Sequence, residues 1–484
     1  MPGAARLVET HLSTVVFLGD RVVKVKKPIR TGFVDFTTLS ARREVCRREV
    51  ELNRRLAPDV YLGVADISMS GQVVEHAVVM RRLPEARRLS TRLERPGVDD
   101  DLRRIAHLVA SFHASAERSP AIDAASGHDA VARLWEAGFS QIEPYEGAVL
   151  LPDEAARVAL LVREYVSGRR SLLDLRVGAG RACDGHGDLQ AEDIFMMDDG
   201  PRILDCLEFD DQLRYGDVLA DVAFLAMDLE RLGHPDLAGR FLDHYRENSA
   251  DLWPETLAHL HIAYRAHVRC KVNCIRHDQG DPEAAEAARA LHDQALSHLE
   301  RGRVQLVVIG GSPGTGKSSV AAAMGDRLGA VVLSSDELRD DVVPRPPDHD
   351  HQDADAVHEG RYRPELVGSV YREMLREADL LIAGGDSVVL DASWLDEGRR
   401  ETVRDLARRV STHLTELRCV CPDDVAASRI RRRAEAGHTA SEATVDIAAA
   451  LRREAAPWRE AAEIRTDCDL EATVDAALRV VTRR

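Results

Sequence analysis

The sequence predicts two domains of different fold class: an α+β domain with a sheet-rich lobe and a helical lobe, then an α/β domain with a parallel sheet. Three features lead to this prediction. Strand-like runs fill much of residues 12–83, helical patterns dominate residues 99–299, and a strand, a glycine-rich turn and a helix follow one another over residues 304–328. A chain of 484 residues is also too long for one ordinary hydrophobic core. We place the two domains at residues 1–298 and 303–484.

The sheet-rich lobe begins with a predicted β-hairpin. Residues 12–27 contain two β-rich runs on either side of a turn at Gly19. A charged helical segment follows at residues 39–56, and further strand-like sequence covers residues 61–67 and 73–83. The pattern indicates a small sheet with one helix.

The helical lobe is interrupted once, by a compact β-rich insert at residues 184–209. Its last helix begins after Asp281 and Pro282, which supply a capping side chain and a proline at the first helical position. Gly302 is well placed to end that helix. The domain boundary is therefore expected at this point.

The C-terminal domain shows an α/β pattern. A strand is predicted at residues 304–309 and a helix at residues 318–328, with further strand-like runs at residues 330–333 and 387–390. Strands that alternate with helices in this way favour a parallel sheet.

Composition and charge exclude several classes of protein. A formal net charge of -17 argues against broad binding to nucleic acid or to an anionic membrane, because both need a basic surface. No apolar run approaches the length of a membrane span, and the first residues lack a signal-peptide core, so we expect a cytoplasmic protein.

Cysteine and histidine give little sign of a structural metal. The eight cysteines have no zinc-ligand spacing and are expected to be reduced and mostly packed. His349 and His351 lie in a proline- and aspartate-rich segment, residues 344–355, which we predict to be a mobile loop without a further metal ligand.

Lysine is rare and its positions are informative. The chain has five lysines, Lys24, Lys26, Lys27, Lys271 and Lys317. An ammonium group is a compact charge that arginine does not reproduce at a phosphate, so lysines near nucleotide motifs are candidate phosphate ligands. Lys271 fits a helix surface better.

Lys317 belongs to a complete phosphate-binding loop between a predicted strand and helix. In such a loop the backbone N–H groups converge on phosphate oxygens, the lysine reaches the β- and γ-phosphates, and the residue after it ligates Mg²⁺. The sequence therefore predicts ATP and Mg²⁺ as cofactors, bound by Gly311, Ser312, Pro313, Gly314, Thr315, Gly316, Lys317, Ser318 and Ser319.

Downstream residues can complete this site. Asp336 follows the second strand and could deprotonate a substrate hydroxyl, although capping of a surface helix is an alternative role, and Arg339 could hold an anionic substrate. Asp391 ends another strand and could order Mg²⁺. Arg429 and Arg433 share a helical face, so one could close over the transferring phosphate, unless the cluster is only a solvated basic face.

These C-terminal motifs resemble the small P-loop kinases of the zeta-toxin and gluconate-kinase type over residues 303–484. The resemblance implies phosphoryl transfer to a small molecule. It makes Asp336 the base and Arg339, Arg429 and Arg433 candidate phosphate or substrate contacts.

The N-terminal domain carries a second set of acidic and basic candidates. Asp188 follows His-Gly, and Asp193 and Asp205 come later in the β-rich insert. This order can present one base and two Mg²⁺ ligands to a triphosphate, with Asp188 as the base. Lys24 would contact the α- and β-phosphates, braced by Glu49 from the charged helix.

This half resembles the aminoglycoside-phosphotransferase-like kinases over residues 10–280, with its parts in the same order. The resemblance departs at Asp193, where the family typically has asparagine. Lys26 with Glu44 is an alternative to Lys24 with Glu49, and a catalytically inactive kinase-like scaffold is an alternative to an active domain.

The whole chain resembles a bacterial fusion of these two kinase types. The resemblance implies a protein-kinase-like bilobal α+β domain followed by an α/β P-loop NTPase domain. We predict an ATP-dependent phosphotransferase that acts on a small-molecule hydroxyl, with two potential nucleotide and phosphoryl-transfer sites. The alternative is a nucleotide-sensing regulatory protein with an inactive N-terminal domain and a C-terminal domain that binds or hydrolyses ATP.

Overall fold

The computed structural model describes residues 6–10, 12–30, 34–342, 363–435 and 444–482. The chain divides into two compact units. One comprises residues 1–159, 173–253 and 257–300, and the other comprises residues 160–172, 254–256 and 301–484.

The first unit opens with an antiparallel sheet of β1 (Arg6–Glu9), β2 (Ser13–Leu18), β3 (Arg21–Lys26), β4 (Tyr61–Met69) and β5 (Gln72–Arg81), in the order β1-β2-β3-β5-β4. The predicted hairpin is confirmed as β2 and β3. Its turn needs a left-handed residue, which Gly19 supplies with φ 60° at little conformational cost.

Helix α1 (Leu39–Asn53) lies between β3 and β4 in the chain. The Thr38 hydroxyl caps it by accepting a hydrogen bond from the Ala41 N–H at 3.2 Å. The helix ends before the predicted residue 56 because the chain tightens into turns, in which the Arg55 N–H donates to the Leu52 carbonyl. Cys46 and Val50 of α1 belong to the buried core that includes sheet residues.

The rest of the first unit is largely helical, as predicted. Its helices are α2 (Val98–Ser115), α3 (Pro120–Ser126), α4 (His128–Ile142), α5 (Pro152–Gly168), α6 (Arg170–Gly178), α7 (Val218–Arg231), α8 (Pro235–Ser249), α9 (Glu255–Asp278) and α10 (Ala284–Arg301), some of whose residues fall in the second unit. Lys271 lies half-buried on α9, and its ammonium donates to Gln141 on α4 at 2.8 Å, in a hydrogen bond at the surface.

The β-rich insert forms two small antiparallel ladders. Strands β6 (Ala182–Asp184) and β9 (Tyr215–Asp217) make one, and β7 (Ile194–Met197) and β8 (Gly200–Ile203) make the other. The insert extends beyond the predicted residue 209 because β6 finds its partner only after the loop that follows β8.

The second unit contains a five-stranded parallel sheet of β10 (Gln305–Gly310), β11 (Val331–Ser334), β12 (Val388–Asp391), β13 (His413–Val420) and β14 (Ala462–Arg465). Its order is β11-β12-β10-β13-β14. The sequence analysis did not identify β13 and β14. The remaining helices are α11 (Lys317–Leu328), α12 (Ser335–Val342), α13 (Pro364–Ala383), α14 (Glu397–Arg409), α15 (Asp423–Glu435), α16 (Val445–Glu454) and α17 (Leu470–Val481).

Strand order places a crevice at the carboxyl end of β10. The chain leaves β10 toward β11 and β12 on one side of the sheet and reaches β13 and β14 on the other, so β10 borders the point where the direction of strand addition reverses. Ligands of open α/β sheets bind at such a point. The predicted fold class, a bilobal α+β domain followed by an α/β P-loop domain, is confirmed.

Helix length and hydropathy bear on membrane association. Within the described ranges, no helix is both long enough and apolar enough to cross a bilayer.

Candidate functional site

In the first unit, Lys24 of β3 meets Glu49 of α1, as predicted. The Lys24 ammonium lies 2.9 Å from Glu49 Oε1 and 2.5 Å from Asp205 Oδ1. The Glu49 side chain is fully buried, whereas 12% of the Lys24 side chain and 45% of the Asp205 side chain are exposed. Lys24 therefore joins the sheet, the helix and the segment after β8 at a point open to a ligand.

Lys26 shares the same glutamate. Its ammonium lies 2.7 Å from Glu49 Oε2 and also pairs with Glu208, and only 1% of its side chain is exposed. Glu44 instead lies on the exposed side of α1 beside Arg47. The alternative pairing of Lys26 with Glu44 is therefore not formed, and Lys26 is a buried member of the Lys24 cluster.

The charges in this cluster stabilise one another. Burial alone would raise the pKa of Glu49, but the ammonium groups of Lys24 and Lys26 hold it below its usual value. Burial would likewise lower the pKa of Lys24, but Asp205 and Glu49 raise it well above its usual value. Lys24 thus stays a cation in spite of its position.

The loop that carries Asp188 is fixed by a carboxylate on α7. Asp221 accepts backbone hydrogen bonds from His186 at 2.7 Å and from Gly187 at 2.8 Å, and His113 Nε2 lies 3.1 Å from the same side chain. These two buried amides have no sheet partner, so Asp221 sets the course of the loop. Its sequence signal is only an acidic residue in the first turn of a helix.

Asp188 lies in a setting suited to a base. Its Oδ1 accepts a hydrogen bond from Gln190 Nε2 at 2.9 Å. Burial raises the pKa of Asp188 to about 6, against the opposing positive charge of Arg269 and the smaller effect of Arg265. A carboxylate with this pKa is ionised at neutral pH and takes up a proton more readily than an ordinary aspartate.

Asp193 and Asp205 face the same region and repel each other's charge. Burial, and then the charges of Asp205 and Asp188, raise the pKa of Asp193 well above its usual value. Asp205 adopts a left-handed conformation with φ 62°, and its N–H donates to the Tyr61 hydroxyl at 3.1 Å. A divalent cation would relieve the repulsion between these carboxylates.

Asp193 and Asp205 are a pair of carboxylates, a ligand type that Mg²⁺ prefers. No group of three or more His, Cys, Asp or Glu side chains suited to a metal occurs in the part of the chain that the structure describes. Mg²⁺ is usually held by one or two carboxylates together with substrate phosphates and water. Asp193 and Asp205 would supply that number.

In the second unit, the glycine-rich loop follows β10 and leads into α11. Gly314 and Gly316 have φ values of 84° and 83°, and a Cβ on Gly314 would lie 2.7 Å from the Ala426 carbonyl. The Thr315 hydroxyl donates to the Ser312 carbonyl at 2.8 Å and closes the loop. The described loop also contains Gly311, Pro313, Lys317, Ser318 and Ser319.

Asp391 lies beside this loop, because β12 is the neighbour of β10 and Asp391 pairs in register with Ile309. Its side chain is buried, and its Oδ1 has no hydrogen-bond partner among the described residues. Burial raises the pKa of Asp391, and the nearby Lys317 opposes the rise. A buried carboxylate oxygen without a partner, close to Lys317 and Ser318, fits a bound cation.

Asp336 and Arg339 form an ion pair with each other on α12. Arg339 Nη1 donates to Asp336 Oδ1 at 2.8 Å. An acceptor that uses Asp336 as base and Arg339 as anchor would therefore bind at this pair.

Arg429 of α15 is tied to the glycine-rich loop through Thr466. Its Nη2 donates to the Thr466 carbonyl at 2.6 Å, and the Thr466 hydroxyl donates to the Thr315 carbonyl at 2.6 Å. Arg433 lies one turn later, and its Nη2 is buried without a hydrogen-bond partner among the described residues. No motif surrounds Thr466, so the sequence analysis did not identify it.

One of the sequence predictions lies outside the described residues, namely the histidine pair at 349 and 351 with its predicted loop.

A protein-family model described as an AAA domain matches residues 306–457. The match contains the whole glycine-rich loop and Asp391. The second unit is therefore a P-loop nucleotide-binding domain, and the C-terminal resemblance is confirmed.

Mycobacterial proteins match this chain along almost its whole length. "Uncharacterized protein Rv2004c" of Mycobacterium tuberculosis and "Uncharacterized protein Mb2027c" of Mycobacterium bovis are each 42% identical over 479 residues, which is 98% of this chain and 94% of theirs. The chain belongs to the family of these proteins. Because the match spans both units, the combination of the two domains is shared within the Rv2004c family.

Two solved structures are similar to parts of this Rv2004c family chain. A choline/ethanolamine kinase family protein from Mesorhizobium loti is 14% identical, covers 61% of this chain and 92% of its own, and has a TM-score of 0.38. A gluconokinase from Sinorhizobium meliloti is 18% identical, covers 37% of this chain and 92% of its own, and has a TM-score of 0.27.

Proposed function

We propose that the protein is an ATP-dependent phosphotransferase that acts on a small-molecule hydroxyl, with one phosphoryl-transfer site in each unit. The observation that carries the proposal is the Lys24 cluster. Lys24, Glu49 and Asp205 come together from three separate elements, and this meeting supports their roles as phosphate ligand, bracing carboxylate and metal ligand. When bound, ATP would supply the phosphoryl group, and Mg²⁺ would balance the negative charge of its phosphates.

In the first unit, Lys24 binds the α- and β-phosphates while Glu49 keeps its ammonium in place. Asp193 and Asp205 are the ligands for Mg²⁺. Lys24 contacts Asp205 in the structure, so nucleotide binding exchanges that ion pair for contacts with phosphate and cation.

Asp188 is the base of this unit. It orients the acceptor hydroxyl and takes its proton as the new bond to phosphorus forms. A pKa of about 6 leaves the carboxylate ionised at neutral pH while keeping it basic enough to accept a proton. Asp221 acts indirectly, by holding the loop on which Asp188 stands.

In the second unit, the backbone N–H groups of the glycine-rich loop and the N-terminus of α11 bind the phosphates, together with Lys317. Ser318 and Asp391 are the ligands for Mg²⁺. Asp336 is the base and Arg339 the acceptor contact, with Arg429 and Arg433 near the transferring phosphate.

The test is transfer of labelled γ-phosphate from ATP to a protein-free metabolite extract by the wild-type protein, Asp188→Ala and Lys317→Ala. The proposal expects two labelled products, or one product with two labelled positions, and each variant should lose one of them. Label that appears only as free phosphate, or in no product, would contradict the proposal and favour the nucleotide-sensing alternative. Arg327→Ala, an exposed change on α11, is the matched control for Lys317→Ala.

A further inference from the structure

Arg265 and Arg269 share one face of α9, and Arg265 lies against the loop that carries Asp188. Arg265 Nε donates to the Ala220 carbonyl at 2.8 Å, and its Nη1 is 3.4 Å from the Gly187 carbonyl. The guanidinium carbon of Arg265 also lies 5.0 Å from the centre of the Phe224 ring. Arg265 is thus a fixed cation directly beside Asp188.

Arg269 follows Arg265 by four residues, so the two side chains project from the same face of the helix. Arg269 is half-buried, and its guanidinium has no ion pair or hydrogen bond among the residues that the structure describes. Its positive charge nevertheless lowers the pKa of Asp188 more than any other single residue does. Arg269 therefore lies near the base without being bound to it.

The fully buried arginines of this unit, unlike half-buried Arg269, have carboxylate partners. Arg176 pairs with Asp217 and Asp251, and Arg214 pairs with Asp184. An acceptor that covers Arg269 would remove this cation from water, which is costly unless a counter-charge compensates it. Asp188 does not serve as that partner, because no ion pair joins the two side chains in the described part of the chain, and Asp188 Oδ1 accepts a hydrogen bond from Gln190 instead. An anion on the bound acceptor would supply the compensation.

We propose that the acceptor of the first unit carries an anionic group, a carboxylate or a phosphate, which Arg269 binds while the acceptor hydroxyl lies at Asp188. Arg265 acts as a positioning residue for the loop. This inference rests on the proposed function of the first unit. The acceptor oxygen forms a bond to the γ-phosphorus, the bond from that phosphorus to the β,γ-bridging oxygen breaks with its electron pair leaving on ADP, and the hydroxyl proton passes to Asp188.

The first experiment asks which charge the acceptor carries. The Lys317→Ala chain, which retains only the first site, is incubated with labelled ATP and a protein-free bacterial metabolite extract that has been passed over anion-exchange or cation-exchange resin. We expect the labelled product to disappear after anion exchange and to persist after cation exchange. Persistence after anion exchange overturns the inference but leaves the proposed function standing, whereas no product from untreated extract overturns both.

Phosphatase treatment of the extract before the assay separates the two anionic groups. If the product is lost after this treatment, the acceptor carries a phosphate, and if it is retained after phosphatase but lost after anion exchange, the acceptor carries a carboxylate. Either result supports an anionic acceptor.

The second experiment assigns the anion to Arg269. In the same Lys317→Ala background, Arg269→Gln should raise the KM for the purified acceptor by about tenfold to a hundredfold, because a charged hydrogen bond is lost, and should leave the KM for ATP unchanged. Arg269→Lys should recover part of the loss. Arg276→Gln is the matched control, since Arg276 lies on the same helix but pairs with Asp281 at an exposed position.

A purely electrostatic role for Arg269 gives a different result. If Arg269 only adjusts the ionisation of Asp188, Arg269→Gln shifts the pH profile of the transfer rate to higher pH. At pH values above the shifted profile's midpoint, the KM for the acceptor is then the same as in the parent Lys317→Ala chain. This outcome would overturn the inference.

Discussion

Glu49→Gln is the most direct test of the Lys24 cluster, because Glu49 is its central member. The side chain is fully buried, and its two oxygens lie 2.9 Å and 2.7 Å from the ammonium groups of Lys24 and Lys26. The amide of glutamine has nearly the same shape, but it removes the charge and turns an N–H₂ group toward one of the lysines.

The expected cost follows from this geometry. Removing one partner of a buried ion pair destabilises a protein by about 3 to 5 kcal/mol, because an uncompensated charge remains in the interior. Lys24 keeps Asp205 and Lys26 keeps Glu208, so we expect the lower part of this range. At about 1.4 kcal/mol for each factor of ten, a cost of about 3 kcal/mol accelerates local opening about a hundredfold.

Amide hydrogen exchange of peptides from β3 and α1 measures this opening in the full chain without requiring the two units to unfold together. Glu51→Gln is the matched control on α1, since the Glu51 side chain is 70% exposed and its one ion pair among the described residues is with Arg48, at 3.3 Å. If Glu49→Gln exchanges at the same rate as Glu51→Gln, the buried cluster does not stabilise the lobe and the reasoning is wrong.

Three further predictions concern the two nucleotide sites. Lys317→Ala should weaken ATP binding at the second site at least about tenfold. A fluorescent-nucleotide titration should then show one tight site instead of two, whereas Arg327→Ala should retain both tight sites. Transfer at the first site should fall to half as the pH drops to about 6, because Asp188 must be ionised to accept a proton, and a flat profile between about pH 5 and 7 would contradict its role as base. Gly314→Ala should abolish nucleotide binding at the loop, because the added Cβ would lie 2.7 Å from a backbone oxygen. The control Gly329→Ala, at a position with φ 60° and open space, should cost only about 1 to 2 kcal/mol of stability. Equal nucleotide affinity in the two variants would count against the close approach at Gly314.

Local sequence was sufficient where function depends on adjacent residues. The phosphate-binding loop is one continuous segment, and its glycines, Lys317 and the following helix appear in the chain in the order that the chemistry needs. The β2–β3 hairpin is similarly local, because Gly19 supplies the left-handed turn and valine-rich runs flank it. For these two elements the residue pattern alone therefore predicts the backbone geometry.

Ion pairs between distant segments could be predicted only where the chain has few residues of the required type. Lysine is so rare that Lys24 and Lys26 were the evident partners for a glutamate on α1, yet the sequence could not choose between them. The folded chain uses both, because the buried carboxylate of Glu49 has two oxygens and each faces one ammonium. The alternative glutamate, Glu44, was indistinguishable by spacing and lies on the exposed face.

The sequence by itself determined the order of domains, the parallel and antiparallel character of the main sheets, and the loop that binds phosphate, since these follow from periodicity and from glycine positions. Only the tertiary structure decided that Asp221 holds the Asp188 loop, that Lys26 shares Glu49 with Lys24, and that Arg269 lies near the base without a counter-ion among the described residues. The physical reason is distance along the chain. Such contacts join elements tens of residues apart, and their strength comes from burial and charge balance, which a linear pattern does not record.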